Sequence, residues 1–202
     1  MRVDHFADKS KSWDMKSKRV QNAKSIAKLI IDRVELSNNM KLMDFGAGTG
    51  LLSYFIAPFV DTIVAVDNSP SMLEKFREKS EEFECKTEVL EVDLSQEDED
   101  IEQSFEGIIS SMTIHHLKDT KKLFEKLYSM LNDDGFIAIA DLDSEDGSFH
   151  SNNIGVFHFG FERESLEAIA KEVGFRDIRF ELASTISKPH CDFTVFLMLA
   201  KR

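Results

Sequence analysis

One short segment combines residue types that could hold a charged or nucleotide-like ligand. It reads LMDFGAGTGLLS, from Leu42 to Ser53, and places Asp44 two residues before glycines at positions 46, 48 and 50. Glycine permits positive φ angles and a close approach of the backbone to a bound molecule. A helix that begins after the glycines would direct its N-terminal amide groups at a carboxylate or phosphate. The segment therefore predicts a binding turn, with an ordinary tight turn between strand and helix as the alternative.

Two further acids follow predicted strands. Asp67 ends the apolar run TIVAVD, where a carboxylate can accept hydrogen bonds from both hydroxyl groups of a ribose. Asp93 ends KTEVLEVD and could accept from an exocyclic adenine amine, with Leu94 as a backbone amide and an apolar wall. The alternative for Asp67 is a cap of the next helix, which Asn68 or Ser69 could also provide, and the alternative for Asp93 is an ordinary turn residue. Three acids at successive strand ends are more specific than any one of them.

These acids need strands and helices that bring them to one edge. Apolar residues at helical spacing predict a helix over 18–36, and Ser69 with Pro70 marks the start of another. From residue 40 onward, five strand patterns alternate with helical ones, and two more strands, 177–182 and 194–201, follow the last helix.

This order of elements predicts an α/β fold. Alternating strands and helices imply a mostly parallel sheet with helices on both faces. The final two strands are separated by about ten residues without a helical pattern, which suits an antiparallel hairpin. Ligands of such open sheets bind beyond the carboxyl ends of the strands, where the three acids are predicted to lie.

Composition limits the partners that the chain could bind. Its 202 residues are 42% hydrophobic and 31% charged, which fits one domain over 1–202 with a single substantial core. The formal net charge of −12 argues against nucleic acid and anionic membranes as partners, because such binding depends on basic side chains. The segment DKSKSWDMKSKR is locally positive, and a solvated helix end explains it as well.

Cysteines, histidines and apolar runs limit the compartment and the metal chemistry. Cys85 and Cys191 lie far apart and outside any CxxC pattern, which favours a reducing compartment over a disulfide framework. No apolar leader opens the sequence, and no apolar run approaches the roughly 20 residues that span a bilayer. The six histidines show no metal-ligand spacing such as HxxxH. We expect a soluble cytoplasmic protein without a metal site.

Taken together, the motifs resemble those of the class I S-adenosylmethionine-dependent methyltransferases, over nearly the whole chain. MDFGAGTG resembles the first motif of that family, VAVDNSPSML the second and VDLS the third. FEGIISSMTIHHLKD is similar to the fourth strand and its following turn, and LNDDGFIAIADLD to the fifth strand with the helix end before it. The resemblance implies a Rossmann-like, seven-stranded sheet whose last, antiparallel strand lies between the fifth and the sixth. It also implies an N-terminal helical cap, 1–36, and a catalytic core, 37–202.

The same resemblance implies a binding site for S-adenosylmethionine. Asp44 would orient the methionine amino group through water, and the glycine backbone would lie under the methionyl part and the ribose. Asp67 would hold the ribose hydroxyl groups, and Asp93 with Leu94 would hold adenine. Backbone near the end of the fourth strand would accept from the amino group. The implied cofactor-binding residues are Asp44, Gly46, Ala47, Gly48, Gly50, Asp67, Asn68, Asp93, Leu94, Ser110 and Ser111.

An NAD site is the alternative for the glycine-rich turn. NAD sites normally carry G-x-G-x-x-G, or alanine in the last place, whereas Leu51 occupies that place here. This departure favours methyl transfer over hydride transfer. Two residues depart from the methyltransferase pattern, because Glu106 stands where Asp is frequent and Lys118 where Pro is frequent. Neither residue belongs to the cofactor motifs.

Histidines are the candidates for a catalytic base. A base is useful only when the acceptor arrives protonated, because the sulfonium methyl group is already activated. From His115, His116, His150 and His158, we select His158, His116 and His150 as candidate catalytic residues. A structural role is the alternative for His116, which follows strand four. Packing is the alternative for His150 and His158, which lie in a long segment after strand five.

Aromatic residues in two segments could close over the bound molecules. GVFHFGF contains Phe157, Phe159 and Phe161, which could form an apolar lid or fill the edge of the sheet. In the N-terminal segment, Phe6 and Trp13 would anchor a cover over cofactor or substrate, or pack against the domain as part of a helix.

The sequence thus predicts a methyltransferase with a small-molecule acceptor. A short N-terminal helix without a separate substrate domain favours a small acceptor over RNA or DNA. SSMT also stands after the fourth strand in place of the NPPY-type motif of amino methylation on bases or glutamine. The alternatives are a protein methyltransferase with a peptide groove near 143–161, a cofactor-binding module without transfer, and an NAD-dependent oxidoreductase. The attacked atom and the oligomeric state do not follow from the sequence.

Overall fold

The computed structural model describes residues 17–96, 99 and 101–202 of the chain. The helices of this part are α1 (Ser17–Arg33), α2 (Leu51–Ile56), α3 (Pro70–Ser80), α4 (Thr120–Met130) and α5 (Arg163–Val173). Its strands are β1 (Lys41–Phe45), β2 (Thr62–Asp67), β3 (Lys86–Glu91), β4 (Phe105–Ser111), β5 (Leu131–Leu142), β6 (Arg176–Ser187) and β7 (Asp192–Lys201). Short 3-10 turns follow α2 and β4, at Ala57–Phe59 and Ile114–His116. Phe6 and Trp13, the predicted anchors of an N-terminal cover, lie outside the described residues.

The seven strands form one sheet in the order β3-β2-β1-β4-β5-β7-β6. The first five strands are parallel to one another, as their alternation with helices predicts. β7 runs antiparallel to both of its neighbours, β5 and β6. The Rossmann-like, mostly parallel sheet with its last strand antiparallel between the fifth and the sixth is therefore confirmed.

Each face of the sheet has its own apolar core. Met43 and Phe45 of β1 belong to one cluster, together with residues of α4 and α5. Leu42, one position earlier, belongs to a second cluster with residues of α1, α2 and α3. Successive side chains of a strand point to opposite faces, so this alternation buries β1 on both sides. Helices on both faces of the sheet are confirmed.

Local sequence signals fix where several helices begin and end. The Ser69 hydroxyl accepts a hydrogen bond from the backbone N–H of Met72, and Pro70 is the first residue of α3, as predicted. Asp119 caps α4 in the same way by accepting from the N–H of Lys122 at 3.0 Å. Such caps each contribute about 1 kcal/mol, so the helix starts near the site are locally specified.

Two strands are longer than their sequence patterns predict. β6 continues to Ser187 because it still pairs with β7 where β5 has ended. The last residue of β5 that pairs with β7 is Leu142, and from there on β6 and β7 form a two-stranded ribbon. β5 begins at Leu131, which pairs with Phe105 across a shift in register. The added residues of β6 are mostly polar and half-exposed, so they carry no apolar alternation that would predict a strand.

The carboxyl ends of four strands meet at one edge of the sheet. Phe45 at the end of β1 pairs with Val66 of β2 and with Ser110 of β4. Ser111 in turn pairs with Ala140 near the end of β5. The segments that follow these strands are therefore neighbours in space, and they contain most of the predicted site residues.

Candidate active site

The glycine turn between β1 and α2 combines close packing with bare backbone. Gly46, Gly48 and Gly50 have φ angles of +68°, +54° and +78°, which favour glycine. A Cβ at Gly46 would lie 2.2 Å from Cγ2 of Thr113, so the turn packs directly against the segment after β4. A Cβ at Gly48 would meet nothing within 4 Å. The backbone at Gly48 therefore faces open space that a ligand can enter.

The carboxylate of Asp67 is oriented toward this turn by two backbone groups. Its Oδ2 accepts a hydrogen bond from the N–H of Gly48 at 2.8 Å, and its Oδ1 accepts from the N–H of Ser69 at 2.9 Å. Asp67 is half-buried, and Asn68 beside it is exposed. The Ser69 hydroxyl, and not the Asp67 carboxylate, caps α3. A carboxylate has about four acceptor sites, so it can hold ribose hydroxyl groups in addition to backbone N–H groups.

Asp44 is a buried acid directly before the glycine turn. It is 1% exposed, and its Oδ2 accepts a hydrogen bond from the hydroxyl of Ser53 in α2 at 2.5 Å. Burial raises the pKa of the Asp44 carboxyl to about 7, which the Ser53 hydrogen bond partly offsets and the negative charge of Asp67 reinforces. No cationic side chain of the described residues pairs with Asp44, and an unpaired buried acid is costly, so its position beside open backbone indicates that a bound cationic group would pair with it.

The residues after β3 form a closed turn. The Oδ1 of Asp93 accepts from the N–H and the hydroxyl of Ser95, at 3.1 and 2.6 Å, and its Oδ2 accepts from the amide of Gln96 at 3.3 Å. Leu94 is buried. These contacts support the turn alternative for Asp93, whereas the buried Leu94 fits an apolar wall. The adenine role of the two residues stays a prediction.

The end of β4 is joined to the glycine turn by hydroxyl groups. Ser110 is buried, and its hydroxyl donates to the carbonyl of Phe45 at 2.7 Å. The hydroxyl of Thr113 lies 3.3 Å from the carbonyl of Gly46 and 3.2 Å from that of Ser111, so it can donate to either. The glycine turn and the segment after β4 therefore form one packed unit. Contact of Ser110 and Ser111 with a methionine amino group stays a prediction.

Three of the four candidate histidines lie together beyond β4. The ring of His115 lies 4.2 Å from that of His116 and 5.0 Å from that of His150, measured between centroids. Nδ1 of His116 lies 2.7 Å from the carbonyl of Gly155, so it donates to a loop that follows β5. Burial, followed by the charges of the neighbouring histidines, lowers the pKa of His150 to about 4. His150 is therefore neutral at physiological pH.

His158 has a different environment. Its Nε2 lies 2.9 Å from the carbonyl of Leu117, to which it can donate, and 3.3 Å from the hydroxyl of Thr120. Its ring packs against that of Phe161, with 4.9 Å between the two ring centroids. These contacts support the packing alternative for His158, and its catalytic role stays a prediction.

The loop over 143–161 is closed at its base and apolar at its surface. Arg163 forms a two-pronged ion pair with Asp143, at 2.6 and 2.8 Å, where the loop begins. Phe157 and Phe159 are 57% and 44% exposed, whereas Phe161 is buried against the edge of the sheet. Phe161 therefore fills the sheet edge, and the two exposed rings remain the candidates for an apolar lid.

Gly160 allows this loop to close, and its replacement tests that closure. Gly160 has a φ of +69°, and a Cβ there would lie 2.1 Å from the carbonyl oxygen of Asp143, a backbone atom that cannot move aside cheaply. We expect Gly160→Ala to lower Tm by about 5 °C or more in a thermal melt, corresponding to roughly 2 kcal/mol. Gly155→Ala is the matched control, because Gly155 also has a positive φ, +77°, but its Cβ would meet nothing within 4 Å. Equal losses in the two variants would contradict the packing argument.

Sequence reasoning missed two residues of this region. Asp141 near the end of β5 is fully buried, and its Oδ1 lies 2.7 Å from Nδ1 of His115. Ser53 in α2 is the partner of Asp44. An acid within the otherwise apolar strand FIAIADL was a signal for Asp141, whereas no local signal separates Ser53 from other small residues of a helix.

Membrane and metal chemistry receive no support from the part of the chain that the structure describes. None of its helices is long and apolar enough to cross a membrane. It also contains no group of three or more histidine, cysteine or acidic side chains arranged to hold a metal ion.

Comparison with known proteins gives a family and several relatives. A family model described as a methyltransferase domain matches residues 18–179. An uncharacterized methyltransferase of Schizosaccharomyces pombe is 31% identical over 61% of this chain and 48% of its own length. Malonyl-[acyl-carrier protein] O-methyltransferase of Acetivibrio thermocellus is 28% identical over 78% of this chain and 52% of its own length. The chain thus spans about half the length of these curated relatives.

Solved structures share the fold at low sequence identity. A chain in the complex of the Haloferax volcanii Trm112 methyltransferase activator with a methyltransferase superposes with a TM-score of 0.78, at 14% identity, over 100% of this chain and 99% of that one. Phosphoethanolamine N-methyltransferase 2 of Haemonchus contortus, in complex with S-adenosyl-L-methionine, gives 0.70 at 18% identity over 99% of this chain and 60% of that one. At such identities the likeness shows the fold alone. The family model matches residues 18–179, which is most of the chain, and this chain belongs to the class I S-adenosylmethionine-dependent methyltransferases.

Proposed function

We propose that the chain binds S-adenosylmethionine at the glycine turn and transfers its methyl group to a small-molecule acceptor. The open space over the backbone of Gly48, beside the oriented carboxylate of Asp67, carries the proposal. Membership of the methyltransferase family supports the same reading. In this proposal, residues 37–202 form the catalytic core and 1–36 its N-terminal segment.

The residues present fit this cofactor. Asp67 would hold the ribose hydroxyl groups, and Asp44 would orient the amino group, whose positive charge favours the ionised carboxyl. The glycine backbone would lie under the methionyl part, with Asp93 and Leu94 at the adenine. When bound, S-adenosylmethionine supplies a methyl group on a positively charged sulfur. The protein then has to align the acceptor atom with that methyl group and exclude water.

Features of the chain and of its relatives support a small acceptor. We place the reaction in the cytoplasm. The net charge of −12 offers no general attraction to nucleic acid or to anionic membranes. Among the relatives, Phosphoethanolamine N-methyltransferase 3 of Arabidopsis thaliana is named for a small molecule. The acceptor would enter next to the loop over 143–161, where His116 and His150 stay predicted catalytic candidates.

A protein-bound acceptor is the second candidate. The relative from Acetivibrio thermocellus is named for a malonyl group on an acyl-carrier protein. On this chain, Ile154 and Phe157 are 73% and 57% exposed in the loop beside the histidines. Such exposed apolar side chains next to an active site could contact a carrier protein.

Calorimetric titration with S-adenosylhomocysteine, S-adenosylmethionine and NAD tests the proposed cofactor. We expect micromolar binding of the first two ligands and none of NAD. Gly48→Ala should weaken S-adenosylhomocysteine binding about tenfold or more, because its Cβ fills the space that the ligand needs, while Tm changes by only about 3 °C. Binding of NAD, or of none of the three, would contradict the proposal.

A further inference from the structure

A buried histidine lies beside the proposed cofactor turn and is not among the three candidates selected above. His115 belongs to the 3-10 turn after β4, two residues beyond Thr113, which packs on Gly46 of the glycine turn. His115 is 1% exposed. Its position is therefore at the carboxyl edge of the sheet, between the glycine turn and the loop over 143–161.

Asp141 fixes the orientation of the His115 ring. Its Oδ1 lies 2.7 Å from Nδ1 of His115, and its Oδ2 accepts from the backbone N–H of His115 at 3.2 Å. Burial alone would raise the pKa of Asp141, but its attraction to the His115 ring and the hydrogen bonds that it accepts from His115 and from the N–H of Leu142 hold that pKa below its usual value. Asp141 is therefore an ionised acceptor, which requires that Nδ1 of His115 carries a hydrogen. The lone pair of the neutral ring is then on Nε2.

The other nitrogen of His115 has no hydrogen-bond partner within the described residues. Nε2 of His115 and Nε2 of His150 are both buried, and the centroids of the two rings lie 5.0 Å apart. An unsatisfied buried polar atom costs about 1–3 kcal/mol, so natural proteins rarely keep one without a use. Two such atoms beside a proposed cofactor turn indicate that a polar group of the acceptor satisfies them.

We propose, on the basis of the proposed methyl transfer, that His115 accepts the proton of the acceptor and that Asp141 is its positioning residue. The acceptor is then a small molecule whose attacking atom carries a proton, namely a hydroxyl or an amine, rather than a carboxylate. The attacking atom bonds to the methyl carbon, and the electron pair of the broken S–C bond goes to sulfur. The proton moves to Nε2 of His115, while the electron pair of its former bond stays on the attacking atom.

The surroundings of His115 agree with this role. His150 is neutral at physiological pH and can share the acceptor group without adding charge. Among the described residues, three charged or titratable side chains lie near His115 and its partner Asp141. They are His116 in the same turn, His150 in the loop and Lys188 in the β6–β7 turn, whose charge acts on His150. The loop donates from Phe157 N–H to the carbonyl of His115 at 3.0 Å, so it covers the turn and has to shift when an acceptor enters.

Nitrogen NMR of the complex with S-adenosylhomocysteine tests the proton acceptor without any substrate. We expect the His115 ring to be hydrogen-bearing at Nδ1 and bare at Nε2 at pH 8. Asp141→Asn should abolish the preference for the Nδ1–H form. A hydrogen on Nε2 at pH 8 would overturn the proposal, because that atom could not then accept a proton. Failure of S-adenosylhomocysteine to bind would instead contradict the proposed function.

Turnover provides the second test, with the small-molecule fraction of a cell extract as acceptors and formation of S-adenosylhomocysteine as the signal. We expect His115→Gln to lower the rate about a hundredfold at pH 7 and less at pH 9, where more of the acceptor is already deprotonated. His190→Gln, in the β6–β7 turn, is the matched control and should keep the wild-type rate. Full activity of His115→Gln, or a loss independent of pH, would overturn the base role. An extract fraction restricted to carboxylates should give no turnover.

Discussion

Replacing Asp67 with alanine is expected to weaken the binding of S-adenosylhomocysteine at least a hundredfold. The N–H groups of Gly48 and Ser69 hold the carboxylate at 2.8 and 2.9 Å, and we propose that it accepts from both ribose hydroxyl groups. Each hydrogen bond to a charged group is worth about 1.5–3 kcal/mol, and a hundredfold change corresponds to about 2.7 kcal/mol. The substitution also releases the N–H of Gly48, so the glycine turn loses part of its shape. Calorimetric titration measures the change.

Asp61→Ala is the matched control for this prediction. Asp61 directly precedes β2, at the other end of the strand from Asp67, and its carboxylate pairs with Lys86 at 3.1 Å. Its replacement should leave the affinity within about twofold, since surface ion pairs contribute only about 0–1 kcal/mol and this one is remote from the turn. Thermal melts of both variants should be measured to check that they are folded. Wild-type affinity of Asp67→Ala would remove the ribose role of Asp67.

The parts of the molecule that the sequence predicts are those fixed by local patterns. Buried parallel strands carry continuous apolar runs, so TIVAVD indicates both the strand and the acid at its end, Asp67. Ser69 and Pro70 fix the start of α3 through a local hydrogen bond and a preset φ angle. Because strand ends and helix starts position the glycine turn and Asp67, this part of the site follows from short-range rules.

Other features depend on partners that are distant along the chain. His115 and Asp141 are 26 residues apart, and only the pairing of β4 with β5 brings them together. From the sequence we selected His158, His116 and His150 and left out His115, whereas in the structure His158 contacts a backbone carbonyl and His115 a buried carboxylate. Periodicity describes which face is buried, not which polar atoms meet there, so it could not separate these roles.

The ribbon of β6 and β7 shows the same limit. One face of its outer part pairs polar residues, Ser187 with Asp192 and Thr185 with Thr194, whereas on the other face Ile186 pairs with the buried Phe193. The outer part of β6 offers only Ala183 and Ile186 to the apolar core, which is too short a pattern to mark a strand in the sequence. The fold class was therefore predictable from the sequence, whereas the length of β6 was not.

Asp44→Asn is expected to change stability and cofactor binding in opposite directions. The pKa of the Asp44 carboxyl is raised to about 7 by burial, against an ordinary value near 4. Between these values the folded protein keeps a proton that the unfolded chain releases, so the free energy of unfolding falls as the pH rises from about 4 to about 7. Above pH 7 the ionised Asp44 lowers the free energy of unfolding by its full amount, up to roughly 4 kcal/mol. Asparagine cannot ionise and keeps an acceptor for the Ser53 hydroxyl, so the variant should be more stable at pH 8 by about 2 kcal/mol.

Asp141→Asn is the control for the sign of this effect. Asp141 is also fully buried, but its pKa is lowered because His115 pairs with it, so it contributes stability that is lost as the pH falls. Urea unfolding at pH 8 should therefore show a less stable Asp141→Asn variant beside a more stable Asp44→Asn variant. If Asp44→Asn were destabilised at pH 8, the burial argument for Asp44 would be wrong.

The stability gained by Asp44→Asn should appear as a loss in cofactor binding. In the proposed site, the positively charged amino group of S-adenosylhomocysteine pairs with the buried carboxylate, which has no cationic partner among the described residues, so ligand binding should favour the ionised form. We expect the affinity of the wild type to rise between pH 6 and pH 8 as Asp44 ionises, and that of Asp44→Asn to be about tenfold lower at pH 8 and nearly independent of pH. Equal pH profiles of the two proteins would show that Asp44 does not meet the amino group. A strand end that is unfavourable alone and favourable with its ligand is the arrangement expected of a binding site, since stability is given up where function requires a buried charge.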